Sequence, residues 1–215
     1  MKLILISLTI CLFLSLILSL AVVNNDNALT RFDHDAVNTL HAHTTPTGID
    51  LFQIITWLGS PALWIVSLSA GAYLIWRVRW LDLFAEAAMI GGGKLLDVLL
   101  KDLFDRPRPI WDGVIITEHS PAFPSGHAMM SLLIYGFLVI LLWHVLQNRL
   151  SRLALISGVV GLVGLIGFSR VYLGVHYPTD VLGGYAMGGA WLSLCLLGKI
   201  GADSFRAEVM PSAHR

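Results

Sequence analysis

Three short polar runs in an otherwise apolar chain hold the residues that could do chemistry. Lys101 and Arg108, with Pro109 directly after, belong to the first. Pro124, Ser125, Gly126 and His127 make the second, and Ser169, Arg170, His176 and Asp180 the third. Lys101, Arg108 and Arg170 are permanent cations, a set that suits a phosphoryl group, whose oxygens share negative charge during transfer. His176 and Asp180 have helical spacing. On one helical face, the carboxylate can hold one imidazole nitrogen and leave the other free to attack phosphorus. His127 would then protonate the leaving oxygen and later activate water against the phosphohistidine. Ser125 and the amides of Gly126 and His127 fall at a helix start, where unpaired N–H groups and the dipole favour an anion. The arginines bind oxygens in bidentate fashion, and Lys101 acts as a point charge. Each piece alone is ordinary. Their joint occurrence, in this order and at matching ends of neighbouring apolar segments, points to one site.

Those segments must position them. The chain has 215 residues, 56% hydrophobic and 13% charged, against about 25% charged in a soluble domain. So much apolar surface predicts an all-α polytopic membrane protein, one domain over residues 1–215. Six transmembrane helices are expected, at approximately 3–23, 51–76, 80–104, 126–147, 152–172 and 179–200. The first is longer than the apolar core of a cleaved signal peptide and reads as a retained span. After it, Phe32, Val37 and Leu40 predict a short amphipathic helix lying on the membrane. Gly59-Ser60-Pro61 predicts a kink in the second span.

The third span carries Glu86, Lys94, Asp97 and Lys101 on one helical face, with Asp97 placed to pair with both lysines. Charges inside a span face the bundle interior or a water-filled cavity. Gly158, Gly161, Gly164 and Gly167 form one stripe for close helix approach, and Gly184 and Gly188 another. Trp111, Phe123, Tyr172 and Tyr177 could line an entrance or anchor the membrane interface. The tail, 201–215, is polar and expected to be poorly ordered.

The formal net charge is zero, so there is no electrostatic footprint for nucleic acid. Cys11 and Cys195 lie in apolar runs and suggest neither a disulfide nor a metal site. His34, His41 and His43 lack a further ligand at fitting spacing, so no metal is expected there. Lys2, Arg77, Arg79, Arg149, Arg152, Lys199, Arg206 and Arg215 collect on one side. Arg31, Lys101, Arg106, Arg108 and Arg170 collect on the other. The larger group marks the cytoplasmic side. Both termini are then cytoplasmic, and the polar runs face the extracytoplasmic side of a cell (inner) membrane.

The runs KDLFDRPRP, PSGH and SRVYLGVHYPTD, over residues 101 to 180, resemble the three signature motifs of the phosphatidic acid phosphatase type 2 superfamily. The pattern is K-x6-R-P, P-S-G-H and S-R-x5-H-x3-D, with every specified position matched. The layout is most like the small bacterial membrane lipid phosphatases. The resemblance implies a metal-independent phosphomonoesterase or diphosphatase working through phosphohistidine, without a cofactor. It implies His176 as nucleophile, Asp180 as its partner and His127 as acid and base. It implies Lys101, Arg108, Ser125, Gly126, Ser169 and Arg170 as phosphate ligands. Lys94, Asp97 and Arg106 lie outside the pattern. The expected partner is a lipid phosphate or lipid diphosphate in the bilayer. Phosphatidylglycerol phosphate, phosphatidate and undecaprenyl diphosphate are all compatible. A non-catalytic lipid-phosphate-binding or transport protein on the same bundle is the alternative, against which intact His127, His176 and Asp180 argue. Vanadium-dependent haloperoxidases share these motifs but are soluble and much larger.

Overall fold

The computed structural model describes residues 1–110, 118–143 and 145–209. Among them every regular element is helical: α1 (Lys2–Val23), α2 (Asn27–Ala42), α3 (Pro46–Trp57), α4 (Pro61–Trp76), α5 (Trp80–Phe104), α6 (Gly126–Trp143), α7 (Arg149–Tyr172) and α8 (Pro178–Val209).

The starts follow from local chemistry. Asp26 caps α2 by accepting from the Ala28 and Leu29 amides, each at 2.9 Å, and Asn148 caps α7 by accepting from Ser151 at 2.7 Å. Proline opens α3, α4 and α8, where its missing N–H costs no helix bond. Helix α5 ends at Asp105, which takes the left-handed conformation at φ 39° and turns the chain into the arginine-bearing loop.

Helices α6 and α8 form the centre, with α5 and α7 packed against them and α1 lying along α8. Met89, Phe123, Met129, Leu133 and Ile166 are buried between them. A Cβ on Gly184 would fall 2.5 Å from the Ser125 carbonyl oxygen, and one on Gly188 would fall 3.1 Å from that of Met129. The expected close-packing face on α8 is therefore real. It brings the α6 and α8 backbones together where Ser125 and Asp180 must meet.

Helix α1 buries none of its residues, which suits a helix solvated by lipid. Five stretches among the described residues are long and apolar enough to cross a membrane: Lys2–Val23, Pro46–Trp76, Gly126–Trp143, Arg149–Tyr172 and Pro178–Val209. Helix α5 has the length but carries a charged face, of which Asp82, Glu86 and Asp97 are buried in the bundle.

Several expectations change. The second span starts at Pro46 rather than 51, and the interruption expected at Gly59-Ser60-Pro61 is there as a full break at 58–60 that divides it into α3 and α4. Helix α8 runs on to Val209, so the tail is helical as far as 209, partly held by the Lys199–Asp203 pair at 2.6 Å; residues 210–215 lie outside the described residues. Helix α2 forms but packs on α7 and α8. Its inward face carries Asp33 and Val37, while Phe32 is exposed. On α7, a Cβ at Gly158, Gly161 or Gly164 would meet nothing within 4 Å. Only Gly167 of that stripe is packed, against Tyr185 and Val181. Phe123 and Tyr177 are core residues rather than entrance residues. Tyr172 accepts from the Thr45 amide at 3.3 Å, and Trp111 lies outside the described residues.

Candidate active site

The turn from α7 into α8 builds one wall. Gly174 sits at φ 71°, which glycine adopts without strain, and the amides of Val175 and His176 both return to the Arg170 carbonyl, at 3.1 and 3.3 Å. Asp180, in the first turn of α8, reaches back to the Tyr177 N–H at 2.8 Å, one half of a capping box. The same carboxylate oxygen lies 3.4 Å from His176 Nδ1. Across the ring, Nε2 is 3.2 Å from Arg108 Nη1. These neighbours assign the proton to Nδ1 and the lone pair to Nε2. His176 and Asp180 are both buried. Burial, and after it the guanidinium groups of Arg108 and Arg170, holds the His176 imidazole well below its ordinary pKa.

The start of α6 builds the second wall. The Ser125 amide donates to the Asp180 carbonyl at 2.9 Å, which ties the two walls directly. Ser125 Oγ is buried and has no hydrogen-bond partner among the described residues. Gly126 and His127 are the first two residues of α6. The His127 ring lies beside Gly59, where a Cβ would come within 3.3 Å of its Cδ2 and within 2.4 Å of the Ile166 side chain. The break between α3 and α4 thus lets backbone approach the histidine.

The cations close the site. Arg108 donates to the carbonyls of Ser120 and Val175, both at 2.7 Å, and is fixed across the loop. Arg170 is buried, donates to Thr56 Oγ1 at 2.8 Å and leaves its Nε without a partner among the described residues. Lys101 Nζ lies 3.6 Å from Asp97 and 3.4 Å from Ser120 Oγ. Between the two arginines sits Glu118, paired with Arg108 at 2.8 Å and with Arg170. Burial pushes the Glu118 carboxyl upward, but Arg170 and Arg108 outweigh it and hold the pKa at about 2. A carboxylate therefore occupies the cleft that two guanidinium groups offer to an oxyanion. Ser169 is the one predicted ligand turned elsewhere: its hydroxyl donates to the Ile166 carbonyl at 2.5 Å. Among the described residues no cluster of histidine, cysteine or carboxylate side chains could hold a metal ion.

The family model described as the PAP2 superfamily matches residues 82–199, more than half of the chain and inclusive of all three polar runs. The chain belongs to the PAP2 superfamily. Phosphatidylglycerophosphatase B of Bacillus subtilis (strain 168) is 32% identical over 177 residues, covering 80% of this chain and 85% of that protein. The crystal structure of a transmembrane PAP2 type phosphatidylglycerolphosphate phosphatase from Bacillus subtilis matches with a TM-score of 0.80 and 30% identity, over 93% of this chain and 96% of that one. Aquifex aeolicus LpxE shares the fold, with a TM-score of 0.60 and 22% identity over 79% of this chain and 94% of its own. The PAP2 chain described here is accordingly a helical membrane protein of a phosphatase family.

Three side chains around the PAP2 motifs have partners that no spacing along the chain indicates. Arg106 lies outside the motif pattern. It bridges Asp180 at 2.5 Å, Thr179 at 2.8 Å and Asp33 at 2.7 Å, and its guanidinium lies 4.6 Å over the Tyr177 ring. Asp33 is fully buried and also accepts from the Thr179 amide at 3.1 Å. One signal was available: Asp33 falls one helical turn before Val37, an acid on the apolar face of α2. Glu118 carried none, being a lone acid in a proline-rich loop.

Proposed function

We propose that this protein is a lipid phosphatase that removes phosphate from a phosphomonoester or diphosphate lipid through a phosphohistidine at His176. The observation that supports this most directly is a pair of buried donors left uncommitted within the three polar runs. Buried Ser125 Oγ and Arg170 Nε lack partners among the described residues, and Arg170 together with Arg108 already holds a carboxylate, that of Glu118. An oxyanion in that cleft would satisfy them.

In the first step His176 Nε2 forms a bond to phosphorus, and the bond from phosphorus to the lipid oxygen breaks. His127 gives that oxygen its proton. Asp180 keeps Nδ1 protonated and stabilises the imidazole as it becomes cationic. In the second step His127 takes a proton from water, the water oxygen bonds to phosphorus, and the N–P bond breaks with its electron pair returning to Nε2. Lys101, Arg108, Arg170, Ser125 and the amides of Gly126 and His127 hold the phosphoryl oxygens, whose charge is spread in the transition state. Ser169 joins them once its hydroxyl rotates away from the Ile166 carbonyl and donates to a phosphoryl oxygen.

In this reading the protein is one domain with six spans, α5 being the sixth. Both termini are cytoplasmic, and the site opens on the extracytoplasmic side of the cell membrane. Phosphatidylglycerol phosphate, phosphatidate and undecaprenyl diphosphate remain the candidate substrates, and the name of the Bacillus subtilis relative favours the first. His176→Ala should lower phosphate release by about 10⁴-fold or more while the protein still inserts. Release at the wild-type rate from purified His176→Ala in detergent would overturn the mechanism.

A further inference from the structure

A cavity of about 290 Å³ opens beside the anion site, between the start of α4, the face of α5 and the first turns of α6. Its polar wall includes Lys94, Asp97, Lys101 and His127 together with Glu118, whose charge the two arginines hold, and Met130 and Ile134 line the apolar side. His127 lines it and His176 does not; His176 is buried against Arg108. In-line displacement places the leaving oxygen opposite the attacking nitrogen. The cavity is then where the leaving group goes, with His127 at its mouth.

Lys94 has no part in the hydrolytic steps. It stands two helical turns before Lys101, about 10 Å along the axis. Its ammonium is 2.8 Å from the Asp97 carboxylate, and its side chain is 54% exposed where it meets the cavity. Asp97 is fully buried, lies 3.6 Å from Lys101 as well, and keeps one oxygen without a hydrogen-bond donor among the described residues. The ladder Lys94–Asp97–Lys101 therefore carries one net positive charge, divided between the cleavage site and the depth of the cavity. Asp97 is shared by two lysines and balances one of them, which leaves a positive charge on the cavity wall that a second anion can meet.

We propose that Lys94 binds a second phosphate carried by the leaving group, and that this subsite selects lipids with two phosphates over phosphatidate. This rests on the lipid phosphatase reading and deepens it. Both a glycerol-bridged second phosphate and a diphosphate present that chemistry. The spacing favours the glycerol bridge, because its phosphorus atoms stand on the order of 6 Å apart by ordinary bond lengths, a better match to two lysines two turns apart. The bridging hydroxyl of such a lipid would also face the Asp97 rung.

The test compares wild type, Lys94→Gln and Lys94→Arg in detergent on dioleoyl phosphatidylglycerol phosphate, farnesyl diphosphate and dioleoyl phosphatidate. In Lys94→Gln, kcat/KM for phosphatidylglycerol phosphate should fall about tenfold, the factor for one lost charged contact. The loss should sit mainly in KM, phosphatidate should change by less than about twofold, and Lys94→Arg should restore the difference. A larger loss on farnesyl diphosphate than on phosphatidylglycerol phosphate would assign the subsite to diphosphates and overturn the glycerol-bridge preference. Equal losses on all three lipids, or none on any, would overturn the subsite. Competition is an independent check: pentane-1,5-bisphosphonate, which has five atoms between its phosphorus atoms as the glycerol bridge does, should inhibit wild type more strongly than inorganic phosphate, and Lys94→Gln should erase that advantage. An unchanged ratio would also count against it. If wild type hydrolyses none of the three, the phosphatase reading itself fails, which is a different result from hydrolysis without discrimination.

Discussion

At the residue scale, the site is organised by competition for a few charges. His176 is presented with a carboxylate on Nδ1 and a guanidinium at Nε2, so its resting form is neutral and ready to attack. An imidazole whose pKa is depressed keeps its neutral form as pH falls, until that lowered value is reached. The acid limb of kcat/KM, which reports the free enzyme, should therefore lie below about pH 6.5, the ordinary imidazole value, once substrate ionisation is allowed for. A limb at or above that value would remove His176 from the nucleophile role. Glu118 gives a second expectation. It holds both arginines, and a phosphate that binds them must displace it. Glu118→Gln should tighten orthovanadate inhibition by about tenfold, which corresponds to roughly 1.4 kcal/mol of competition removed. Weaker inhibition in that variant would mean that the carboxylate assists anion binding instead.

At the element scale, two helix starts and one helix end must meet within hydrogen-bond reach, and the α6–α8 contact sets their spacing. Gly184 is where that contact is tightest, with the Ser125 carbonyl in the path of any Cβ. Gly184→Ala should push α6 from α8, lowering both the melting temperature and turnover. Gly158→Ala, whose Cβ meets open space, should be neutral or stabilising by up to about 1 kcal/mol, because alanine is the better helix former. Thermal melts in detergent with parallel activity assays separate the two. Equal behaviour of the pair would show that the α6–α8 approach does not govern the site. Arg106 works at the same scale: through Asp33 and Thr179 it fastens α2 to the first turn of α8. An ion pair this buried contributes little net stability while whole, but a broken one leaves a charge uncompensated.

At the scale of the whole molecule, the apolar exteriors of α1, α4 and α7 and the polar cluster at the ends of α5, α6 and α7 divide the surface into lipid-facing and water-facing parts. The expected topology can be read by labelling. In a background lacking Cys11 and Cys195, His43→Cys should react with a membrane-impermeant maleimide in intact cells, whereas Asp203→Cys should react only after lysis. The reverse pattern would place the site in the cytoplasm and overturn the orientation drawn from the charge distribution.

The sequence by itself determined a good deal. Apolar run lengths gave the helices, the small residues of α8 its packing face, and the spacing of Asp97 to Lys94 and Lys101 its two ion pairs, because periodicity and residue type are local properties of the chain. The three polar runs also pointed to the PAP2 superfamily, since few families use those residues in that order. Only the tertiary structure decided which groups oppose each other across the fold. It turned Asp33 inward from α2 to meet Arg106, set Glu118 between two arginines distant in sequence, left Gly158, Gly161 and Gly164 of the α7 stripe without a neighbour, and placed Lys94 on the wall of a cavity beside His127. The physical reason is that a contact between residues far apart in sequence depends on how helices pack, and no spacing along one helix encodes the face of another.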